Sequence, residues 1–124
     1  MIGYVTLGTN DLARATRFYD ALLAEIGAKR MMQTERFVMW ATSPDKPALG
    51  VFLPYDGKTA TSGNGTMVAL VVDSPAKVEA LHRKALELGA TDEGPAGPRL
   101  LPGFHAGYFR DPDGNKLNFF CFAK

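Results

Sequence analysis

The chain opens on a β-branched, apolar run, "IGYVTLGT" (residues 2–9), which predicts a strand. It ends where Asn10 and Asp11 can cap a helix with side-chain oxygens. Leu12, Ala15, Tyr19, Leu22 and Ile26 then recur at intervals of three and four, with Phe18 and Leu23 widening the stripe. This spacing predicts an amphipathic helix with one buried face, closed by Gly27, which supplies the left-handed turn that ends many helices. Strand-like runs follow around 28–33, 36–42 and 48–54, the last two joined by the turn sequence "SPDKP".

A polar, glycine-bearing stretch, "YDGKTATSGNG" (55–65), interrupts the pattern and reads as a linker or mobile loop. The plan then repeats. "TMVALVVD" (66–73) reads as a buried strand, and Ser74-Pro75 as a cap followed by a first-turn proline. Val78, Leu81, Ala85 and Leu88 form a second helical stripe that ends at Gly89. Strand-like runs lie near 90–94, 99–109 and 116–122, the last two separated by the turn "DPDGN".

The expectation is β-α-β-β-β twice. A displacement of 63 sets Tyr4 on Met67, Val5 on Val68, Leu7 on Leu70 and Asn10 on Asp73. A displacement of 68 sets "SPDKPALGVF" (43–52) on "DPDGNKLNFF" (111–120). We read one domain over 1–124, with module 1 about 1–55, a linker at 56–65 and module 2 about 66–124. A module of about 60 residues buries its own sheet poorly, so two are expected to pack together around a concave sheet surface.

Composition narrows the function. The 124 residues carry 14 Lys+Arg against 13 Asp+Glu and show no basic run, so nucleic acid is not an expected partner. One cysteine leaves no intrachain disulfide and no cysteine-based zinc site. No stretch has the length of a membrane span, and the start lacks a charged-then-apolar leader, which suits a cytoplasmic protein without membrane partners.

Three segments, "YVTLGTNDLARATRFYDALL", "MVALVVDSPAKVEALHRKALELGA" and "GYFRDPDGNKLNFF", carry a resemblance over nearly the whole chain. The sequence resembles the glyoxalase / bleomycin-resistance / extradiol-dioxygenase family, the vicinal-oxygen-chelate superfamily. The resemblance implies an α+β fold in which two βαβββ modules form a cupped, eight-stranded mixed sheet with helices on the outer face. It also implies a homodimer in which a partner can complete the cup. Metal-using members hold a divalent cation by side chains from four strands, and those positions correspond here to Tyr4, Gly50, Met67 and Asn118. A phenol, a thioether, a neutral amide and a glycine are poor donors for hard or borderline divalent cations. No metal or other cofactor is therefore expected.

Period-2 alternation from Tyr4, Met67 and Asn118 adds Thr6, Ala69, Phe120 and Phe122 to the cup face, and the 68-residue displacement pairs Trp40 with Tyr108. The expected ligand-binding set is Tyr4, Thr6, Trp40, Met67, Tyr108, Asn118 and Phe120, with His105 and Arg110 at the rim. Aromatic walls with a few polar anchors suit a small organic molecule. His82 reads as an exposed helix histidine, Cys121 as a small buried residue on the helix side, and Phe18 and Tyr19 as core.

Three functions fit. The first is a metal-independent binder of a small aromatic or conjugate ligand. The second is a glyoxalase-like lyase or isomerase, or a dioxygenase. In it His105 or Tyr108 is the acid/base, Arg110 stabilises developing charge, and Arg99 and Arg110 receive an anionic substrate. The third is a structural or regulatory dimer with a filled cup.

Overall fold

The computed structural model describes residues 1–123. Strand β1 (Tyr4–Gly8) leads into helix α1 (Leu12–Ala24), followed by β2 (Lys29–Gln33), β3 (Phe37–Ala41) and β4 (Ala48–Phe52). The second half repeats the order with β5 (Val68–Val71), α2 (Pro75–Glu87), β6 (Thr91–Pro98), β7 (Phe104–Arg110) and β8 (Lys116–Phe122). The βαβββ duplication expected from the sequence is the observed α+β architecture. Its eight strands form two four-stranded mixed sheets, ordered β1-β4-β3-β2 and β5-β8-β7-β6. In each, the first strand runs parallel to the fourth and the remaining ladders are antiparallel.

The helix boundaries follow the expected chemistry. Asp11 caps α1 by accepting from the Arg14 N–H, and Ser74 caps α2 by accepting from the Lys77 N–H. Gly27 and Gly89 both adopt positive φ just past their helices. One boundary differs. The run expected as a strand at 99–109 begins its ladder only at Phe104, because residues 100–103 turn the chain and Gly103 takes a positive φ.

One hydrophobic core serves both halves. Phe18 and Tyr19 of α1 lie in it beside Trp40, Leu49 and Val51 of the first sheet and Phe109, Leu117 and Phe119 of the second. The Phe18 ring meets Phe109 across the halves at 6.5 Å, while Tyr19 meets Trp40 at 5.6 Å. The two sheets thus turn one face each toward the helices, and those faces carry the apolar positions of the alternating pattern.

Polar contacts lock the same junction. The β7–β8 turn, Asp111 to Asn115, docks on the end of β1 and the start of α1. Thr9 and Arg14 donate to Asp113, and Asn115 donates to the Gly8 carbonyl. The Tyr19 hydroxyl donates to Asp111 at 2.6 Å. Burial pushes both the Asp111 carboxyl and the Tyr19 phenol above their ordinary ranges, and the nearby Asp111 charge raises Tyr19 further.

Between the free edges of β1 and β5 lies an apolar cleft of about 540 Å³, lined by Ile2, Val5, Leu23, Ile26, Met67 and Leu70 among others. Among the described residues no helix is long and apolar enough to cross a membrane.

Candidate functional site

The faces turned away from the helices carry the candidate positions. On the first sheet, Tyr4 and Thr6 of β1 share that face with Gly50 and Phe52 of β4 and with Phe37 and Met39 of β3. Tyr4 is 64% exposed, and it lines with Thr6, Phe37, Phe52 and Arg36 a cavity of about 690 Å³. The segment after β4 closes one side of this cavity through Tyr55, Asp56 and Thr59–Thr61. Asn10 holds that segment, accepting from the Ala60 N–H at 2.7 Å and donating to its carbonyl. Arg36 donates to the Pro54 carbonyl at 3.0 Å.

Gly50 occupies a position where the resemblance implies a metal-ligating side chain. A Cβ there would lie 2.6 Å from Cε1 of Phe52 and 3.0 Å from Cγ of Met39. The Phe52 ring, stacked on Phe37 at 4.4 Å and 8°, fills the space that such a side chain would need. Tyr4 and Asn118 are neutral, Met67 offers a thioether, and no three His, Cys, Asp or Glu side chains cluster among the described residues. The four positions do not fit a hard or borderline divalent ion.

On the second sheet, Tyr108 stands directly across from Asn118, and Ala106 across from Phe120. Leu117 and Phe119 point into the core, so Asn118, Phe120 and Phe122 share the opposite face with Lys116. Asn118 is 2% exposed, and its carbonyl oxygen has no hydrogen-bond partner. The Lys116 ammonium lies 5.5 Å from the centre of the Tyr108 ring and the Arg99 guanidinium 5.3 Å from it. Arg99 is tied to the backbone, donating to the carbonyls of Pro95, Gly97 and Pro98. Met67, beside β5, is 41% exposed.

The structure therefore brings Tyr4 and Thr6 together on one sheet and Tyr108, Asn118 and Phe120 together on the other. The cavity lined by Tyr4 and Thr6 contains no residue of β5–β8.

Three expectations are corrected. Trp40 is not on the cup face. It is 2% exposed in the core, and its indole N–H donates to Asp20 at 2.8 Å, an acceptor also held by Arg30. Hydrogen bonds from Arg30 and then Trp40 keep the Asp20 carboxyl below the usual range against the opposing effect of burial. The cause of the reversal is register. Met39 pairs with Gly50 with ten residues between them (40–49), whereas Tyr108 pairs with Asn118 with nine (109–117). The extra residue turns the counterpart of Tyr108 to the other side, and Met39 takes the cup position.

His82 is not exposed. It is 6% exposed, with Nε2 at 3.0 Å from the Tyr108 carbonyl and 3.2 Å from Asp92, because Gly107 leaves room for its ring. A Cβ at Gly107 would lie 2.9 Å from that ring. His105 stands across from Cys121, on the face opposite Tyr108, and its Nδ1 faces the Gly103 carbonyl. Arg110 is paired with Glu93 and donates to the Gly114 carbonyl. His105 and Arg110 thus lie on opposite faces of β7, whereas Tyr108 shares the face of Arg110, whose guanidinium is engaged by Glu93. Sequence reasoning missed Phe37, Phe52 and Lys116. Phe52 was recoverable from its spacing two residues after Gly50 on one strand.

The family relation is direct. The sequence pattern of the Glyoxalase/Bleomycin resistance protein/Dioxygenase superfamily matches residues 1–119. A glyoxalase/bleomycin resistance protein from Albidiferax ferrireducens is 34% identical, with 98% of each chain covered and a TM-score of 0.88. A glyoxalase-related enzyme from Fulvimarina pelagi is 22% identical, covering 98% of this chain and 87% of that one at a TM-score of 0.79. A lactoylglutathione lyase from Agrobacterium tumefaciens is 21% identical, covering 98% and 92% at a TM-score of 0.73, and these last two show the shared fold. No curated protein matches the chain. The chain belongs to the Glyoxalase/Bleomycin resistance protein/Dioxygenase superfamily.

Proposed function

We propose that this protein binds a small organic ligand without a metal, on the sheet faces turned away from the helices. The observation that carries the reading is the Phe52 ring folded over Gly50, which puts an aromatic wall where metal-using relatives need a ligand. Neutral polar groups at Tyr4, Thr6 and Asn118 orient a ligand held by apolar contact.

The site is completed by a second copy of the chain. Both helix-distal faces expose large apolar side chains, Tyr4 and Met32 on one sheet and Met67, Val71 and Phe122 on the other. Pairing the first sheet of one chain with the second sheet of another covers both faces and joins the two half-sites.

Metal content is the decisive measurement. Protein incubated with Zn, Ni and Mn and then desalted is expected to retain metal only at background level by mass spectrometry. Near-stoichiometric retention overturns the reading and makes lyase and dioxygenase assays the next step. Sedimentation is expected to give a dimer, and a monomer at all concentrations overturns the shared site.

A further inference from the structure

Strand β2 lies at the edge of the first sheet, all its residues are exposed, and it carries two consecutive methionines, Met31 and Met32. In a regular strand such neighbours point to opposite faces. Here the ladder with β3 slips between Arg30 and Met32, and both methionines border one cavity of about 430 Å³. Met32 stands directly across from Met39, which lines the same cavity from β3. Directly paired positions hold their Cβ atoms about 4.5–5.5 Å apart, a separation that two flexible thioethers can close on one centre. Three of the chain's five methionines thus share a single cavity. Met31 and Met32 are 46% and 53% exposed and Met39 is 9% exposed, so a solute can enter from one side and meet a buried floor. Tyr4, Phe37 and Phe52 add aromatic rings to the wall. Among the described residues neither a carboxylate nor an imidazole lines this cavity, and its one charged side chain, Lys46, belongs to an exposed residue between β3 and β4.

We propose that Met31, Met32 and Met39 form a site for a soft monovalent metal ion of the Cu(I) class. Thioether sulfur is polarizable and uncharged, so it holds soft cations and leaves hard or borderline ones to oxygen and nitrogen donors. Neutral donors keep the positive charge on the ion, and the neighbouring rings offer it their π faces. The Lys46 ammonium sits on a flexible stem and can withdraw into water. None of the three donors stands at Tyr4, Gly50, Met67 or Asn118, the positions that correspond to the ligands of metal-using relatives. The site therefore goes beyond the binding of an organic ligand and stands or falls apart from it.

Ag(I), a redox-inert probe of the same softness, tests the site in protein isotope-labelled at its methionine methyl groups. One equivalent is expected to shift the NMR signals of Met31, Met32 and Met39 and to leave Met1 and Met67 unmoved as internal controls. Zn is expected to shift none of the five. In calorimetric titrations Met31→Leu and Met32→Leu are each expected to weaken Ag(I) binding at least about tenfold, a loss already produced by removing a group that merely supports a metal ligand. Both positions are exposed and leucine is close to methionine in volume, so these variants keep the fold. Cys121→Ala removes the one thiol of the chain and is expected to retain both the affinity and the methyl shifts. Absence of binding, shifts confined to Met1 or Met67, binding that survives both methionine substitutions, or binding lost in Cys121→Ala alone overturns the site. Each of these outcomes leaves the organic-ligand reading, which other probes test, where it stood.

Discussion

The two halves carry corresponding turns that do different work. "SPDKP" (43–47) lies at the surface, where the Ser43 hydroxyl donates to Asp45 and holds that carboxyl below the usual range. "DPDGN" (111–115) is buried in part and grips the other half of the molecule through Tyr19, Thr9, Arg14 and the Gly8 carbonyl. Asp111 alone accepts from the Tyr19 hydroxyl, the backbone of Asp113 and Asn115, and the Asn115 side chain. The same turn-forming residues thus serve one module as a link between strands and the other as the joint between modules. The sheet faces diverge too, since the position filled by Phe52 in the first half corresponds in the second to Phe120, which leaves the Asn118 amide in place.

Substitutions at the two turns break the comparison most sharply. Asp111→Ala strands the fully buried Tyr19 hydroxyl and the turn N–H groups, and is expected to lower unfolding free energy by about 3 kcal/mol or more in urea titrations. Asp45→Ala is expected to leave the midpoint unchanged, and an equal loss at both turns would erase the distinction. Asp113→Ala removes the acceptor shared by Thr9, Arg14 and the Asn10 N–H, with an expected cost of about 2 kcal/mol by the same measurement.

The site-facing pair gives smaller effects. Gly50→Ala forces the Phe52 ring to move and is expected to cost about 1–2 kcal/mol, with a loss of the Phe37–Phe52 stack visible by NMR. Asn118→Leu removes a buried amide whose oxygen has no hydrogen-bond partner, replaces it with a side chain of similar size, and is expected to change stability by less than about 1 kcal/mol, toward greater stability.

The smallest effect concerns pH. Asp111 sits above the ordinary carboxylate range because it is buried, so the folded state holds its proton more tightly than the unfolded chain. Stability from this group therefore rises as pH falls through that raised value toward the ordinary one, and the rise is absent in Asp111→Asn. The two proteins compared at matched pH separate this contribution from that of Asp20, whose depressed value makes it lose stability in acid in both.

Much of this was legible in the chain. Three- and four-residue spacing marked both helices, capping residues marked their starts, and alternation from Tyr4, Met67 and Asn118 marked three strands with their correct faces. Trp40 was misplaced because a displacement that aligns turn residues does not reveal a one-residue difference in hairpin length, and one residue reverses a strand's faces. His82 was misread because helical spacing says which stripe is apolar but not that a glycine on a facing strand admits a neighbouring imidazole. The relation between the two sheets was beyond reach, since it depends on contacts such as Phe18 with Phe109, 91 positions apart by number.

The shared core also gives the stretch after β4 an unusual status. Phe18, Tyr19 and the docked turn hold the halves together by contacts that never pass through the peptide bonds of residues 56–65. Those bonds act as a tether that raises the local concentration of one half around the other. A protease nick there would leave a two-piece molecule with its interior intact, and the halves made as separate polypeptides would complement each other into one protein, with Trp40 in the first piece reporting their union.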